Sequence, residues 1–355
     1  MDKKDKAITY ANAINDALRV ALQVDGSVIC YGLGADDPKR IFGTTEGLHE
    51  EFGNDRVFDM PTSENAMTGI AVGASLAGIR PVMIHQRLDF FLLAMDQLVN
   101  SAAKWNYTFN GQSSVPITIR LILGRGWGQG PTHSQNLQAW FAHIPGLKVV
   151  MPTFPDDAKG LLLSSIFDDN PVVFLEHRWL HDMTGEVSSG DTRVPLGKAR
   201  IVREGTDITV VSMSYMTIEG LHSVDFLQEL NVNCELIDLR TVSPIDWDAI
   251  YNSVRKTGYL LVLDTGAETG SIAGEIITRV CKECWDSLKS HPDRIAMPDC
   301  PEPTSYGLTK DYYPTANNIS RKICEMLTVE ISEDKLPANQ KKYHDVPGDW
   351  FKGPF

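Results

Sequence analysis

The 355-residue chain has no apolar run close to the ~20 residues that a membrane-spanning helix needs. Its N-terminus, Met1-Asp2-Lys3-Lys4-Asp5-Lys6, lacks the apolar stretch of a signal peptide, so a cytoplasmic protein is expected. Basic residues are in deficit, 33 against 46 acidic ones, and the net charge of −13 argues against nucleic acid or an anionic membrane as the main partner. The six cysteines (positions 30, 234, 281, 284, 300 and 324) are scattered and do not suggest a disulfide framework. Cys281-Lys282-Glu283-Cys284 is a lone C-x-x-C within a helical pattern. Two core-facing helix cysteines are its plain reading, and a redox or metal role is the alternative. Internal repeats and low-complexity segments are absent.

What is present is an ordinary globular composition, 43% hydrophobic and 22% charged, in a chain long enough for two cores. Residues 8–23 read as an amphipathic helix, with Ile8, Ala11, Ile14, Ala17, Leu18 and Leu22 on one face. Strand patterns follow at Ser27–Tyr31, Arg56–Asp59, Pro81–His85, Pro116–Leu123, Lys148–Met151 and Val172–Glu176. Between them lie a small-residue helix after Pro61, a long helix over Leu88–Tyr107 and a helix over Pro155–Ile166. Strands alternating with helices predict a parallel sheet covered on both faces. Residues 180–205 read as an exposed linker. A second α/β set has strands Ile208–Ser212, Cys234–Asp238, Tyr259–Asp264 and Arg294–Met297, with helices Thr217–Glu229 and Ser271–Leu288. The expected organisation is α/β with two doubly wound domains, 1–190 and 191–330, and a loosely docked tail, 331–355.

Ligands of open parallel sheets bind beyond the carboxyl ends of the strands. Three features fall at such ends in the first domain: Glu64, the turn His85-Gln86-Arg87, and the glycine-rich loop from Gly124 to Ser134, which contains His133. Glu64 sits where the run Asp59-Met60-Pro61-Thr62-Ser63 leaves a strand and opens a helix. Pro61 cannot donate to a ladder, and Thr62 and Ser63 are capping types. The plain alternative is a first-turn glutamate that favours the helix dipole. The glycine loop is not the dinucleotide fingerprint, because it does not open directly into a helix. Alone it reads as a flexible connection, and His133 alone reads as either a structural or a catalytic histidine.

A family resemblance enters with Pro61-Thr62-Ser63-Glu64, Gly73-Ala74-Ser75-Leu76-Ala77-Gly78-Ile79-Arg80-Pro81-Val82, Thr132-His133-Ser134-Gln135, Asp169-Asn170-Pro171-Val172 and Ile237-Asp238-Leu239-Arg240-Thr241. Over residues 8–325 the chain resembles the β subunits of the thiamine-diphosphate-dependent 2-oxo acid dehydrogenases, of the pyruvate, branched-chain and acetoin types. The resemblance implies a transketolase-like pyrimidine-binding domain, then a transketolase C-terminal-like domain, in an α2β2 heterotetramer. It implies that Glu64 hydrogen-bonds the aminopyrimidine ring N1′, that Phe90 stacks on that ring, and that His133 lies near the reacting carbon. It also implies a structural potassium ion near Ile117, Ser165, Ile166, Asp168 and Asn170, held mainly by backbone carbonyls.

The G-D-G…Asn-Asn signature that holds Mg2+ and diphosphate in this family is missing from the chain. An α subunit carrying it is therefore expected to complete the site. Several positions depart from the family pattern: Leu33, the run Ile84-His85-Gln86-Arg87-Leu88, Leu93, and the bulky Arg125 and Trp127 in the glycine loop. His85, Arg87 and Arg125 are candidates for binding a polar or anionic substrate tail; pairing with acids on the partner is the alternative. Three functions stay open. The first is a dehydrogenase β subunit that works with the α subunit and passes acyl groups to a lipoyl acyltransferase. The second is a decarboxylase, carboligase or ketol transferase without lipoyl transfer, and the third is a non-catalytic scaffold.

Overall fold

The computed structural model describes residues 6–37, 41–125, 129–332, 336, 345–348 and 350–351. It divides into two compact units, Met1–Leu196 with Trp350–Phe355, and Gly197–Asp349. Of the tail expected over 331–355, the last described residues belong to the first unit.

The first unit runs β1 (Lys6–Thr9), α1 (Tyr10–Val24), β2 (Val28–Gly32), α2 (Leu48–Phe52), β3 (Val57–Phe58), α3 (Glu64–Leu76), β4 (Arg80–His85), α4 (Leu88–Phe91), α5 (Ala103–Thr108), β5 (Thr118–Leu123), α6 (Gln138–Ala142), β6 (Lys148–Val150), α7 (Pro155–Ile166), β7 (Val172–His177) and β8 (Thr184–Val187). Its parallel sheet has the order β6-β7-β5-β4-β2-β3. Every residue of β5 and β7 is buried, as strands covered on both faces must be.

A charge sits in the middle of that core. Arg120 of β5 and Glu176 of β7 form a bidentate pair at 2.5 and 2.9 Å, both fully buried. Burial alone would raise the Glu176 pKa, but the charge of Arg120, its two bonds and the ring of His181 at 3.5 Å hold it below the usual carboxylate range. Removing one partner of such a pair strands the other, so the pair constrains the neighbouring strands as a unit.

Local signals account for most boundaries, and several expectations need correction. Ile8 belongs to β1 rather than to a helix over 8–23: Thr9 accepts from the Asn12 N–H at 3.1 Å and so starts α1 later. The helix expected over Leu88–Tyr107 changes pitch along its length. After α4 come a 3₁₀ turn, Leu92–Ala94, and a π-helical turn, Gln97–Ala102, before α5. The segment 180–205 is not simply a linker. β8 pairs antiparallel with β1, and Arg200–Arg203 forms a strand of the second unit.

That second unit contains β9 (Arg200–Arg203), β10 (Ile208–Ser212), α8 (Tyr215–Glu229), β11 (Cys234–Asp238), β12 (Thr241–Ser243), α9 (Trp247–Thr257), β13 (Leu260–Ala267), α10 (Ile272–Glu283), β14 (Asp293–Met297) and α11 (Ala316–Leu327). Its sheet order is β14-β13-β10-β11-β9, parallel except for β9. The Asp246 side chain caps α9, and Gly258 ends it in the left-handed region, at φ 83°. In the C-x-x-C, Cys284 is buried, its thiol pushed up by burial, and lies 3.9 Å from the Tyr251 carbonyl oxygen. No cluster of three or more metal-ligating His, Cys, Asp or Glu side chains exists among the described residues. None of the described helices is long and apolar enough to cross a membrane.

Candidate active site

The carboxyl edge of the first sheet collects the groups of interest, because all its strands point the same way. β2 and β3 end side by side. Gly32 lies so close to β4 that a Cβ there would sit 2.3 Å from the Ile84 carbonyl oxygen. The Asp59 carboxylate accepts from the N–H groups of Gly34 (2.6 Å) and Met60 (2.8 Å), fixing the exit from β3. Tyr31 stacks on Phe58 at 5.3 Å and donates to the Met67 carbonyl at 3.1 Å, which ties α3 to the edge.

Glu64 is the first residue of α3 and is 7% exposed. Ser63 holds the cap position but makes no capping bond through its side chain. Among the described residues no donor reaches the Glu64 carboxylate.

After β4, the N-capping residue Arg87 leads into α4, which carries Phe90. Phe90 meets His133 edge-on, with centroids 5.3 Å apart and planes at 87°. His133 is exposed, and its Nδ1 lies 3.1 Å from Thr132 Oγ1. Three bonds fasten the His133 loop. Gln135 donates to Asp89 of α4 at 2.7 Å, Arg87 to Gln129 at 2.6 Å, and Ser134 to the Gln129 carbonyl at 3.3 Å. The loop starts at Gly124, in the left-handed region at φ +74°. A Cβ there would lie 2.3 Å from His177 Nε2, so only glycine fits. The structure thus brings Phe90 and His133 into contact, with Glu64 on the same sheet edge; no contact joins Glu64 to either among the described residues.

His85, Arg87 and Arg125 are interior groups, 3%, 3% and 1% exposed. His85 meets Phe91 edge-on at 5.0 Å, and burial pulls its pKa down to about 3. His177 is likewise pulled down to about 3, by burial and then by His181. The Leu33 carbonyl accepts from Gln86 at 3.0 Å, and Leu93 is 69% exposed. Trp127 lies outside the described residues.

The five positions named for a potassium ion already have protein donors among them. Arg80 donates to the carbonyls of Ile166 (3.3 Å) and Asp168 (3.0 Å), and its other nitrogen reaches Asp169 at 2.8 Å. The Ile117 carbonyl accepts from Val172, and the Asp168 carboxylate binds Lys148 and the Asn170 N–H. Carbonyl oxygens carry two lone pairs, so a cation could share them, but the guanidinium already supplies one positive charge there. Sequence reasoning missed Arg80 in this role, as it missed Arg178, whose guanidinium lies over the Phe42 ring at 4.4 Å.

The model of the transketolase pyrimidine-binding domain matches residues 6–182, and that of the transketolase C-terminal domain matches 197–319. The chain is 39% identical over 318 residues to the β subunit of acetoin:2,6-dichlorophenolindophenol oxidoreductase of Cupriavidus necator, covering 87% of this chain and 94% of that one. It is 38% identical to the pyruvate dehydrogenase E1 component subunit beta of Rickettsia bellii, covering 89% and 98%. The chain belongs to the β-subunit family of the thiamine-diphosphate-dependent 2-oxo acid dehydrogenases. Another member, the 2-oxoisovalerate dehydrogenase subunit beta of Bacillus subtilis, is 37% identical, covering 87% and 95%. A solved split-gene transketolase, described as an inactive β4 tetramer, superposes with a TM-score of 0.73 over 91% of this chain and 99% of that one; at 21% identity it shows the fold alone.

Proposed function

We propose that this chain supplies the acid–base half of a thiamine-diphosphate site and that an α subunit supplies the Mg2+ and diphosphate half. The observation that carries the reading is Glu64, buried at the start of α3 with no described donor, on the sheet edge that also holds the touching Phe90–His133 pair. Thiamine diphosphate supplies a thiazolium carbon acid and, in its aminopyrimidine, an internal base. Glu64 holds a proton at the ring N1′, which favours the imino tautomer. Phe90 gives the pyrimidine a flat apolar face. Thr132 engages His133 Nδ1, which leaves Nε2 to exchange a proton with a substrate oxygen.

The chain acts on a 2-oxo acid, in the cytoplasm, within an α2β2 assembly that hands the acyl group to a lipoyl acyltransferase. Exposed Ile70 and Leu76 on α3, with Leu93 on the 3₁₀ turn packed beside it, support a covered subunit face there. Arg87 and Arg125 set the charge behind the site and neutral His85 adds a polar group, toward a polar or anionic substrate tail. A potassium ion at Ile117, Ser165, Ile166, Asp168 and Asn170 shares its carbonyls with Arg80. The burial of Arg87 and Arg125 favours a second reading, a decarboxylase, carboligase or ketol transferase without lipoyl transfer. One assay separates the two: give the αβ complex a 2-oxo acid and a lipoyl-domain acceptor. Acyl transfer supports the dehydrogenase; an aldehyde or ketol product without transfer supports the second reading. Turnover by this chain alone would sink both.

A further inference from the structure

We propose that Arg178 is a positioning residue for the His133 loop, and that the C-terminal pair Trp350-Phe351 holds it in place. The role assigned to His133 is the one proposed above, and the inference rests on it. Trp350 Nε1 donates to the Trp179 carbonyl at 3.0 Å, which brings Phe351 to 5.3 Å from the Arg178 guanidinium. The same guanidinium lies 4.4 Å from the Phe42 ring, and that ring is also 5.3 Å from the guanidinium of Arg87. Arg87 then reaches Gln129 within the glycine loop, four residues before His133, and it is the N-capping residue of the helix that carries Phe90. A continuous series of contacts therefore runs Trp350-Phe351, Arg178, Phe42, Arg87, Gln129 and the loop.

Two features mark the series as more than incidental packing. Arg178 is 4% exposed, and a guanidinium taken so far out of water needs the faces of aromatic rings or an anion around it. Phe42 has φ 53°, a conformation that costs a residue with a bulky side chain and persists only where its surroundings hold it. Its ring contacts with Arg178, Arg87 and His181 are what hold it.

Hydrogen–deuterium exchange on the full-length protein tests the series without depending on turnover. Phe351→Ala should speed exchange in residues 129–137 by roughly three- to ten-fold, the factor for losing one partly buried cation–π contact, and leave β5 and α1 unchanged. Phe351→Tyr, which keeps the ring, should restore slow exchange, whereas Phe351→Leu should not. Loop exchange that stays slow in Phe351→Ala while the tail itself loosens overturns the proposal. So does an increase spread evenly over the first unit, which marks a merely structural role. In the αβ complex, Phe351→Ala should lower kcat more than it changes KM, and its effect should disappear in a His133→Ala background. A loop that loosens with unaltered turnover upholds the coupling and removes His133 from the mechanism instead.

Discussion

At the carboxyl edge of the first unit's sheet stand His85, Arg87, Arg125, His177 and Arg178; at that of the second stand Ser212, Asp238 and Asp264, and all eight are buried. The two sets behave differently. In the second unit these groups bond to turns and to the neighbouring strand, Ser212 donating to the Ile237 carbonyl at 3.1 Å. Asp264 accepts from Gly266 N–H at 2.9 Å and from Ser271 at 2.8 Å, Asp238 accepts from Arg240 N–H at 3.2 Å, and Ser212 bonds Thr217 at 2.9 Å. In the first unit Arg87 and Arg178 reach loops and rings far away in sequence. Buried polarity spent on strands and turns is scaffold; buried polarity that reaches loops at the sheet edge positions a site.

At neutral pH the largest stability effect should come from the centre of the first unit. Arg120→Ala strands Glu176 and should cost about 3–5 kcal/mol in urea unfolding, while the double change Arg120→Met with Glu176→Leu should recover most of it. A cost below about 1 kcal/mol for the single change would show that the pair does not organise the sheet.

Acid should separate the units next. His85 and His177 are neutral in the fold, with pKa values pulled down to about 3, whereas an unfolded histidine titrates near 6.5. The unfolded chain therefore binds protons that the fold refuses. Stability contributed by the two histidines is complete above about pH 6.5 and declines toward pH 3, by about 1.4 kcal/mol per pH unit for each. His177→Gln should flatten the decline measured by pH-dependent unfolding of the first unit.

Asp264→Ala should weaken the second unit by about 1–3 kcal/mol, because it leaves two donors without their acceptor. Turnover per folded complex should change little, so a large loss of kcat at unaltered stability would erase the contrast between the units. The smallest effect concerns Arg80: melting in potassium should exceed melting in sodium slightly, and Arg80→Met should widen the gap. Equal melting in both salts removes the ion from the account.

Much of the site was legible in the sequence because its signals are local. Pro61 breaks a strand, Glu64 opens a helix of small residues, and a glycine loop follows an apolar strand. The Arg120–Glu176 pair was only half visible. A charge inside Ile117-Thr118-Ile119-Arg120-Leu121 demands a partner, but naming it requires the β5–β7 register. β8 and β9 escaped notice because the strands that complete them, β1 and β11, are remote in sequence. α9 was missed although Asp246 and Gly258 mark both its ends. Contacts between rings and guanidiniums, such as Phe42 with Arg178, have no spacing rule at all.

The most direct test of the whole account is turnover of a 2-oxo acid by the αβ complex carrying Glu64→Gln. Loss of the carboxyl proton at the pyrimidine should lower kcat by roughly 10²- to 10⁴-fold, with melting unchanged. A variant that turns over like the wild-type complex would contradict the claim that this side chain activates the cofactor.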